Sequence, residues 1–198
     1  MNVQEATTRR LPDLKGRYLP ENCRETINTI LKETYGYEQF RNLEIYDDLS
    51  KGKEKLCISQ GQLIENVILE AEKAWKGETQ VDNILLTAPT GSGKSLLFQL
   101  PAIYLGKEYN LLTIVVSPLK ALIVDQVESL QELGYTRVAY ASSDLSPEQK
   151  MEVYRQVREG EIDLFYLSPE LLLSYDIKHF VGERRIGLVV VDEAHTVT

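Results

Sequence analysis

Ala88-Pro89-Thr90-Gly91-Ser92-Gly93-Lys94-Ser95 follows the apolar run Ile84 to Thr87 and precedes a helical stretch from Ser95 to Leu105. The order is strand, tight loop, helix. Gly91 and Gly93 give the main chain freedom to turn close to something bulky, Lys94 adds a cation, and Ser95 places a hydroxyl at the helix start. Amides and a helix N-terminus facing one point, a lysine for the outer oxygens and a serine for Mg²⁺ together hold a polyphosphate. A plain glycine turn between strand and helix is the competing reading of this stretch alone.

A second element decides between them. Ile186 to Val191 reads Ile-Gly-Leu-Val-Val-Val and runs into Asp192-Glu193-Ala194-His195. A buried strand that ends in two acids suits a magnesium nucleotide: Asp192 can hold the metal, directly or through water, and Glu193 can polarise the attacking water. Alone, the acid pair could be a solvated strand end. Both elements in this order point to a chain that binds a nucleoside triphosphate.

The bulk composition bounds the rest. The chain of 198 residues suffices for one domain of ordinary size plus a small appendage. Its 43% hydrophobic and 26% charged residues are globular in balance. A net charge of −8 argues against coating nucleic acid through overall charge, but leaves room for a local basic groove. Two cysteines, Cys23 and Cys57, and two histidines give neither a zinc motif nor a disulfide framework, and the thiols are expected to stay reduced in a cytosol. The first ten residues lack a secretion signal's apolar core, and no apolar run approaches a membrane span of ~20 residues.

Along the chain, residues 1–20 read as a polar, extended arm and 21–34 as a helix closed by Gly36. Residues 37–60 are mixed, with Lys51 to Lys55 as a solvated loop tip. A helix follows from Gln62 to Lys76, its stripe built by Leu63, Ile64, Val67, Ile68, Ala71, Ala74 and Trp75. Strands are then expected at 84–88, 111–117, 136–141, 162–167 and 186–191. Helices are expected at 95–105, 119–133, 147–158 and 169–174. The strands are near-continuous apolar runs, as in a parallel sheet covered by helices on both faces. The fold class is therefore α/β with a parallel sheet, and ligands should gather at the strands' carboxyl ends. A mainly helical accessory region, 1–60, would precede a nucleotide-binding domain at 61–198.

Those strand ends are rich in hydroxyls: Ser117-Pro118-Leu119-Lys120, Ser142-Ser143-Asp144 and Ser168-Pro169-Glu170. Serine followed by proline is a common helix cap. The same residues could present helix N-termini, with Lys120 beside one, to the phosphates of a nucleic-acid strand. Both can hold at once.

Four stretches now stand in order: Ala88 to Ala102, Val115 to Val127, Tyr166 to Leu172 and Val190 to His195. Together they resemble the first motor domain of a superfamily 2 DEAH-type helicase, and their wording is closest to RecQ-like DNA helicases. The likeness runs from about residue 62 to the end of the chain. It implies a RecA-like P-loop fold and ATP hydrolysis coupled to movement along one DNA strand, usually 3′ to 5′, in a bacterial cytosol or nucleoid.

Carried onto this chain, the resemblance gives Ala88, Pro89 and Thr90 through Ser95 to the phosphates, Lys94 to the outer ones, and Ser95 and Asp192 to Mg²⁺. Glu193 would be the base toward water, and His195 would relay nucleotide state to the DNA site. Ser117, Pro118, Lys120, Ser168 and Pro169 would contact the strand, mostly through its backbone. The family's adenine segment, Gly-Tyr-x-x-Phe-Arg followed closely by Gly-Gln, is split here. Gly36 to Arg41 has the first half and Gly61-Gln62 the second. The amide of Gln62 would pair with adenine, with Tyr37 and Arg41 on the base if the intervening segment folds away.

The family continues beyond the acid box into a second RecA-like domain whose arginines reach the γ-phosphate, worth about 10³–10⁵ in rate. The 198 residues alone are thus expected to bind ATP weakly and turn it over negligibly. Two rivals stay open. One is a double-stranded DNA translocase or remodeller of a restriction or phage-defence system. The other is a non-catalytic module whose nucleotide gates the binding of a partner protein.

Overall fold

The computed structural model describes residues 23–46, 55–86 and 91–193. The expected arm, most of the loop tip at 51–55, Ala88 to Thr90 and His195 lie outside the described residues. The chain divides into two compact units, Met1–Pro101 and Ala102–Thr198.

The first unit begins with α1 (Glu25–Tyr35), which buries Ile27, Ile30 and Leu31 on one stripe and ends at Gly36 in a left-handed conformation, φ 69°. Residues 37–60, expected to be mixed, instead contain an antiparallel hairpin of β1 (Asn42–Tyr46) and β2 (Lys55–Ser59), with Leu43 opposite Ile58 and Glu44 opposite Cys57. Each strand alternates polar and apolar residues, the period of a half-buried strand. Helix α2 (Gln60–Trp75) starts directly after β2 and buries Leu63, Ile64, Ile68 and Ala71.

Arg24 ties the entry of α1 to α2. Its Nε and Nη2 donate to Glu65 Oε1 at 2.8 and 2.6 Å, and Nη1 donates to Glu72 Oε1 at 2.6 Å. Both carboxylates are buried, at 5% and 7% exposure, which is tolerable only because they are paired. Burial opposes the charge of Arg24, but the hydrogen bonds to Glu72 and Glu65 outweigh it and raise its pKa.

The expected strand at 84–88 is not formed over its described part: residues 84–86 have no strand pairing, and Leu85 is 84% exposed. Apolar composition licenses a strand, but a ladder partner makes one. Helix α3 (Leu96–Tyr109) outlasts the expected end at Leu105 and stops before Asn110, whose φ of 53° leaves the helical region.

The second unit contains the remainder of α3, then β3 (Leu112–Val116), α4 (Lys120–Glu132), β4 (Val138–Ala141), α5 (Pro147–Arg158), β5 (Leu164–Leu167), α6 (Pro169–Ser174), α7 (Ile177–Val181) and β6 (Ile186–Val191). Helix α7 was not anticipated. The four strands form one sheet in the order β4-β5-β3-β6, and every pairing is parallel, as expected.

Alternate residues of the sheet, Leu112, Ile114, Val116, Phe165 and Leu167, pack into one apolar cluster with Tyr154 and Val157 of α5, Leu171 of α6, and Phe180 and Val181 of α7. Tyr166 points to the other face and reaches α4. Helices thus cover both faces over β3 and β5. Strand β6 departs from the expectation of full burial: among the described residues it lies at an edge of the sheet, and Val189 and Val191 are 58% and 52% exposed. Among the described residues, no helix is long and apolar enough to cross a membrane.

Candidate nucleotide site and the row of strand ends

In the first unit the described part of the glycine loop runs from Gly91 to Ser95. Gly91 and Gly93 hold φ of 78° and 79°, a region that strains any residue with a Cβ. α3 then winds straight out of the loop, the amides of Leu96, Leu97 and Gln99 donating to the carbonyls of Gly93, Lys94 and Ser95 at 3.3, 2.9 and 2.9 Å. The lysine and serine therefore sit immediately before the helix's first residue, at the end where the dipole favours anions.

A glutamine that the sequence reading did not single out, Gln60, is brought to this loop. Gln60 is 2% exposed; its Oε1 accepts from the amide of Arg41 at 3.2 Å, and its Nε2 donates to the carbonyls of Ser92 and Gly93 at 3.3 and 3.4 Å. A Cβ on Gly93 would stand 2.7 Å from that Nε2. Because the amide of Gln60 also donates to the carbonyl of Arg41 at 2.9 Å, the hairpin's two ends are stitched together, and Arg41, which ends the first of the two separated stretches, meets the residue just before Gly61-Gln62.

Gln62 lies in the first turn of α2. Its Oε1 accepts from the amide of Ser59 at 3.0 Å, half of a capping box at the start of α2. The signal was present in the sequence, since Ser-x-x-Gln before an apolar stripe is the pattern of such a box. Tyr37 is 50% exposed and stacks on Tyr35 at 6.4 Å, while Arg41 meets Gln60 through its backbone.

In the second unit the strands end in register. Ala141, Leu167, Val116 and Val191 align across the sheet, so the next residues, Ser142, Ser168, Ser117 and Asp192, form a row at its carboxyl edge. The amide of Ser117 donates to the carbonyl of Leu167 at 3.1 Å, and that of Asp192 to the carbonyl of Val116 at 2.9 Å. Ser142, Ser168 and Ser117 are buried, at 4%, 1% and 1% exposure, so little of each faces outward. Pro118 and Pro169 are half-buried. Lys120 is the exposed cation of the row: its Nζ bonds Asp144 Oδ1 at 2.9 Å and Ser143 Oγ.

The acids stand at the end of the row. Asp192 Oδ1 accepts from the amide of Glu193 at 3.0 Å, and Oδ2 accepts from Gln126 Nε2 at 3.3 Å. Each carboxylate oxygen thus has one N–H and keeps lone-pair capacity for a cation. Glu193 adopts φ 52°, unusual for a residue other than glycine and costing about 1–2 kcal/mol, the kind of strain found at functional turns. No cluster of three or more His, Cys, Asp or Glu occurs among the described residues. The Asp192 carboxylate is nonetheless the kind of hard oxygen donor that suits Mg²⁺, which takes few protein ligands and fills the rest with phosphate and water. Its chemistry fits that ion.

A glycine loop feeding a helix, and acids at the end of a parallel strand, define an α/β domain of the RecA-like P-loop class. The DEAD/DEAH box helicase family matches residues 62–198, and the chain belongs to that family. It is 34% identical to the ATP-dependent DNA helicase Q-like 5 of Arabidopsis thaliana, over 88% of this chain and 16% of that protein. It is 33% identical to the ATP-dependent DNA helicase RecQ of Synechocystis, over 87% of this chain and 30% of that one. The RecQ of Bacillus subtilis is 31% identical over 86% and 24%. The chain therefore spans less than a third of the length of these relatives. A solved structure of the DUF1998 helicase MrfA bound to DNA and AMPPNP shares the fold, with a TM-score of 0.53 at 22% identity over 98% of this chain and 23% of MrfA.

Proposed function

We propose that this chain is the ATP-binding motor domain of a DNA helicase, which couples ATP hydrolysis to movement along one strand, 3′ to 5′, and to unwinding. The observation that carries the reading is the row of strand ends, in which Asp192 and Glu193 continue a line of helix starts with Lys120 beside it. A phosphate-bearing strand and a metal-bound nucleotide need that adjacency if one is to sense the other.

In this reading Ala88 to Ser95 cradle the phosphates, with Lys94 on the outer ones, and Ser95 and Asp192 hold Mg²⁺. Glu193 takes the proton of the attacking water, and His195 links that event to the DNA side. Ser117, Pro118, Ser168 and Pro169 contact the strand, mostly through its sugar-phosphate backbone, and Lys120 adds a charge. Gln62 keeps two N–H donors for adenine after capping α2, while Gln60 braces the loop. The domain at 61–198 is the motor, 1–60 its accessory region, and a second RecA-like domain supplies the arginines.

The test is hydrolysis of ATP by the full-length protein with and without single-stranded DNA. DNA-stimulated turnover, lost by about 100-fold or more in Lys94→Ala and Glu193→Gln, supports the reading. Parental turnover in Glu193→Gln would favour a nucleotide-gated binding module. Hydrolysis with movement along duplex but no strand displacement would favour a translocase.

A further inference from the structure

Gln126 lies on α4, six residues after Lys120, and is 8% exposed among the buried Ile123, Val127 and Leu130. A buried amide on an apolar helix stripe is costly unless its bonds are made. Here they are made on both sides. Nε2 donates to Asp192 Oδ2 at 3.3 Å, and the hydroxyl of Tyr166, 0% exposed, donates to Oε1 at 2.9 Å. Elementary chemistry fixes the orientation of this amide. An ionised carboxylate only accepts, so the NH₂ must face Asp192, and the carbonyl oxygen is left for the phenol.

We infer that Gln126 is a positioning residue for the metal-holding carboxylate of Asp192, and that Tyr166 orients and polarises it; this rests on the nucleotide-site reading above. The line Tyr166–Gln126–Asp192 runs from β5 through α4 to β6. Tyr166 precedes Ser168-Pro169, and α4 begins at Lys120, so both segments assigned to the DNA strand end on one amide. A displacement of either shifts the donor that sets one oxygen of Asp192. The amide of Glu193 holds the other oxygen, and the remaining lone pairs are left for the ion. Neutral hydrogen bonds do this without adding a charge that would compete with the metal or repel it.

The test uses the full chain with Mn²⁺ as the probe, followed by its electron paramagnetic resonance, in the presence of a non-hydrolysable ATP analogue. Gln126→Leu keeps the bulk of the side chain and removes the donor. Its affinity for Mn²⁺ is expected to fall about tenfold, the worth of a hydrogen bond to a charged group. Tyr166→Phe keeps the donor but frees its amide to rotate, and a fall of about threefold is expected. Nucleotide affinity measured in EDTA stays parental in both, which a merely structural role would not give. If Gln126→Leu does not fold, Tyr166→Phe decides alone. Parental Mn²⁺ affinity in the folded variants overturns the relay and leaves the nucleotide site standing. A parent that binds no Mn²⁺ with the analogue overturns the nucleotide reading, and the relay with it.

Discussion

Arg184 Nη2 lies 2.9 Å from Asp163 Oδ1, and the two side chains are 5% and 1% exposed. Asp163 sits just before β5, at the end of the sheet opposite the strand-end acids. Arg137 also donates to it, through Nε at 2.6 Å and Nη2 at 2.8 Å, as does the Tyr135 hydroxyl at 3.3 Å. Arg184 is held in turn by Asn110 Oδ1 and the carbonyls of Val157 and Ile162. One buried carboxylate therefore anchors the entry of β5 to the segments before β4 and β6. Asp163→Ala leaves a buried guanidinium uncompensated, and a loss of about 3–5 kcal/mol is expected. Urea denaturation checks this; Arg137→Ala, at a side chain 44% exposed, should cost clearly less.

Gly93→Ala tests the glycine loop without touching a charge. The added methyl meets Gln60 Nε2 at 2.7 Å and asks alanine to hold a φ of 79°. Either the loop opens or Gln60 is expelled from its carbonyl partners. Nucleotide affinity, read by fluorescence of a labelled ATP, is expected to fall at least tenfold. Because Gln60 joins the loop to Arg41, Gln60→Ala should weaken binding in the same direction.

Asp144→Asn tests whether Lys120 serves nucleic acid. The pair is exposed, and the hydrogen bond from Lys120 holds the Asp144 carboxyl below its ordinary pKa. A phosphate must displace Asp144 to reach the lysine, and Asp125 and Glu128 line the same groove. Removing the acid's charge is expected to raise affinity for single-stranded DNA severalfold at low salt, with the gain shrinking as salt rises. Fluorescence anisotropy over a salt series measures both; Lys120→Ala should lower affinity and flatten the slope by about one unit.

Cys23 provides a pH test of the first unit. Burial, and then the charge of Glu65, push its thiol from 9.0 up to about 11. A folded-state value above the unfolded one means that this group's contribution is complete below pH 9.0 and is lost as pH climbs through about 11. Melting temperature should therefore fall more steeply across that window in the parent than in Cys23→Ala. At about pH 7.5 an alkylating reagent should label the exposed Cys57 well before Cys23.

Much of the architecture was legible from local pattern. Leu112–Val116, interrupted only by Thr113, and Leu164–Leu167 are apolar runs, and both proved to be central strands. Ser146 and Pro147 mark the start of α5 where a cap and a first helical proline belong. The glycine loop and the acid pair were readable because each needs only neighbours in the chain. The hairpin β1–β2 was missed although its alternation was visible, since two five-residue strands become a ladder only by pairing with each other. Residues 84–86 erred the other way, apolar enough for a strand but without a partner among the described residues.

The sequence by itself determined the alternation of strands and helices from β3 to α6, the parallel α/β class, the loop that turns on Gly91 and Gly93, and the acids at the end of β6. These follow from backbone freedom, periodicity and apolar runs, which act over a few residues. Only the tertiary structure decided that Gln60 meets the loop, and that Gln126 meets Asp192 across 66 positions of chain. A side-chain amide has the same composition wherever it sits. Its partner is set by where helix and strand pack, and that is a property of the whole fold.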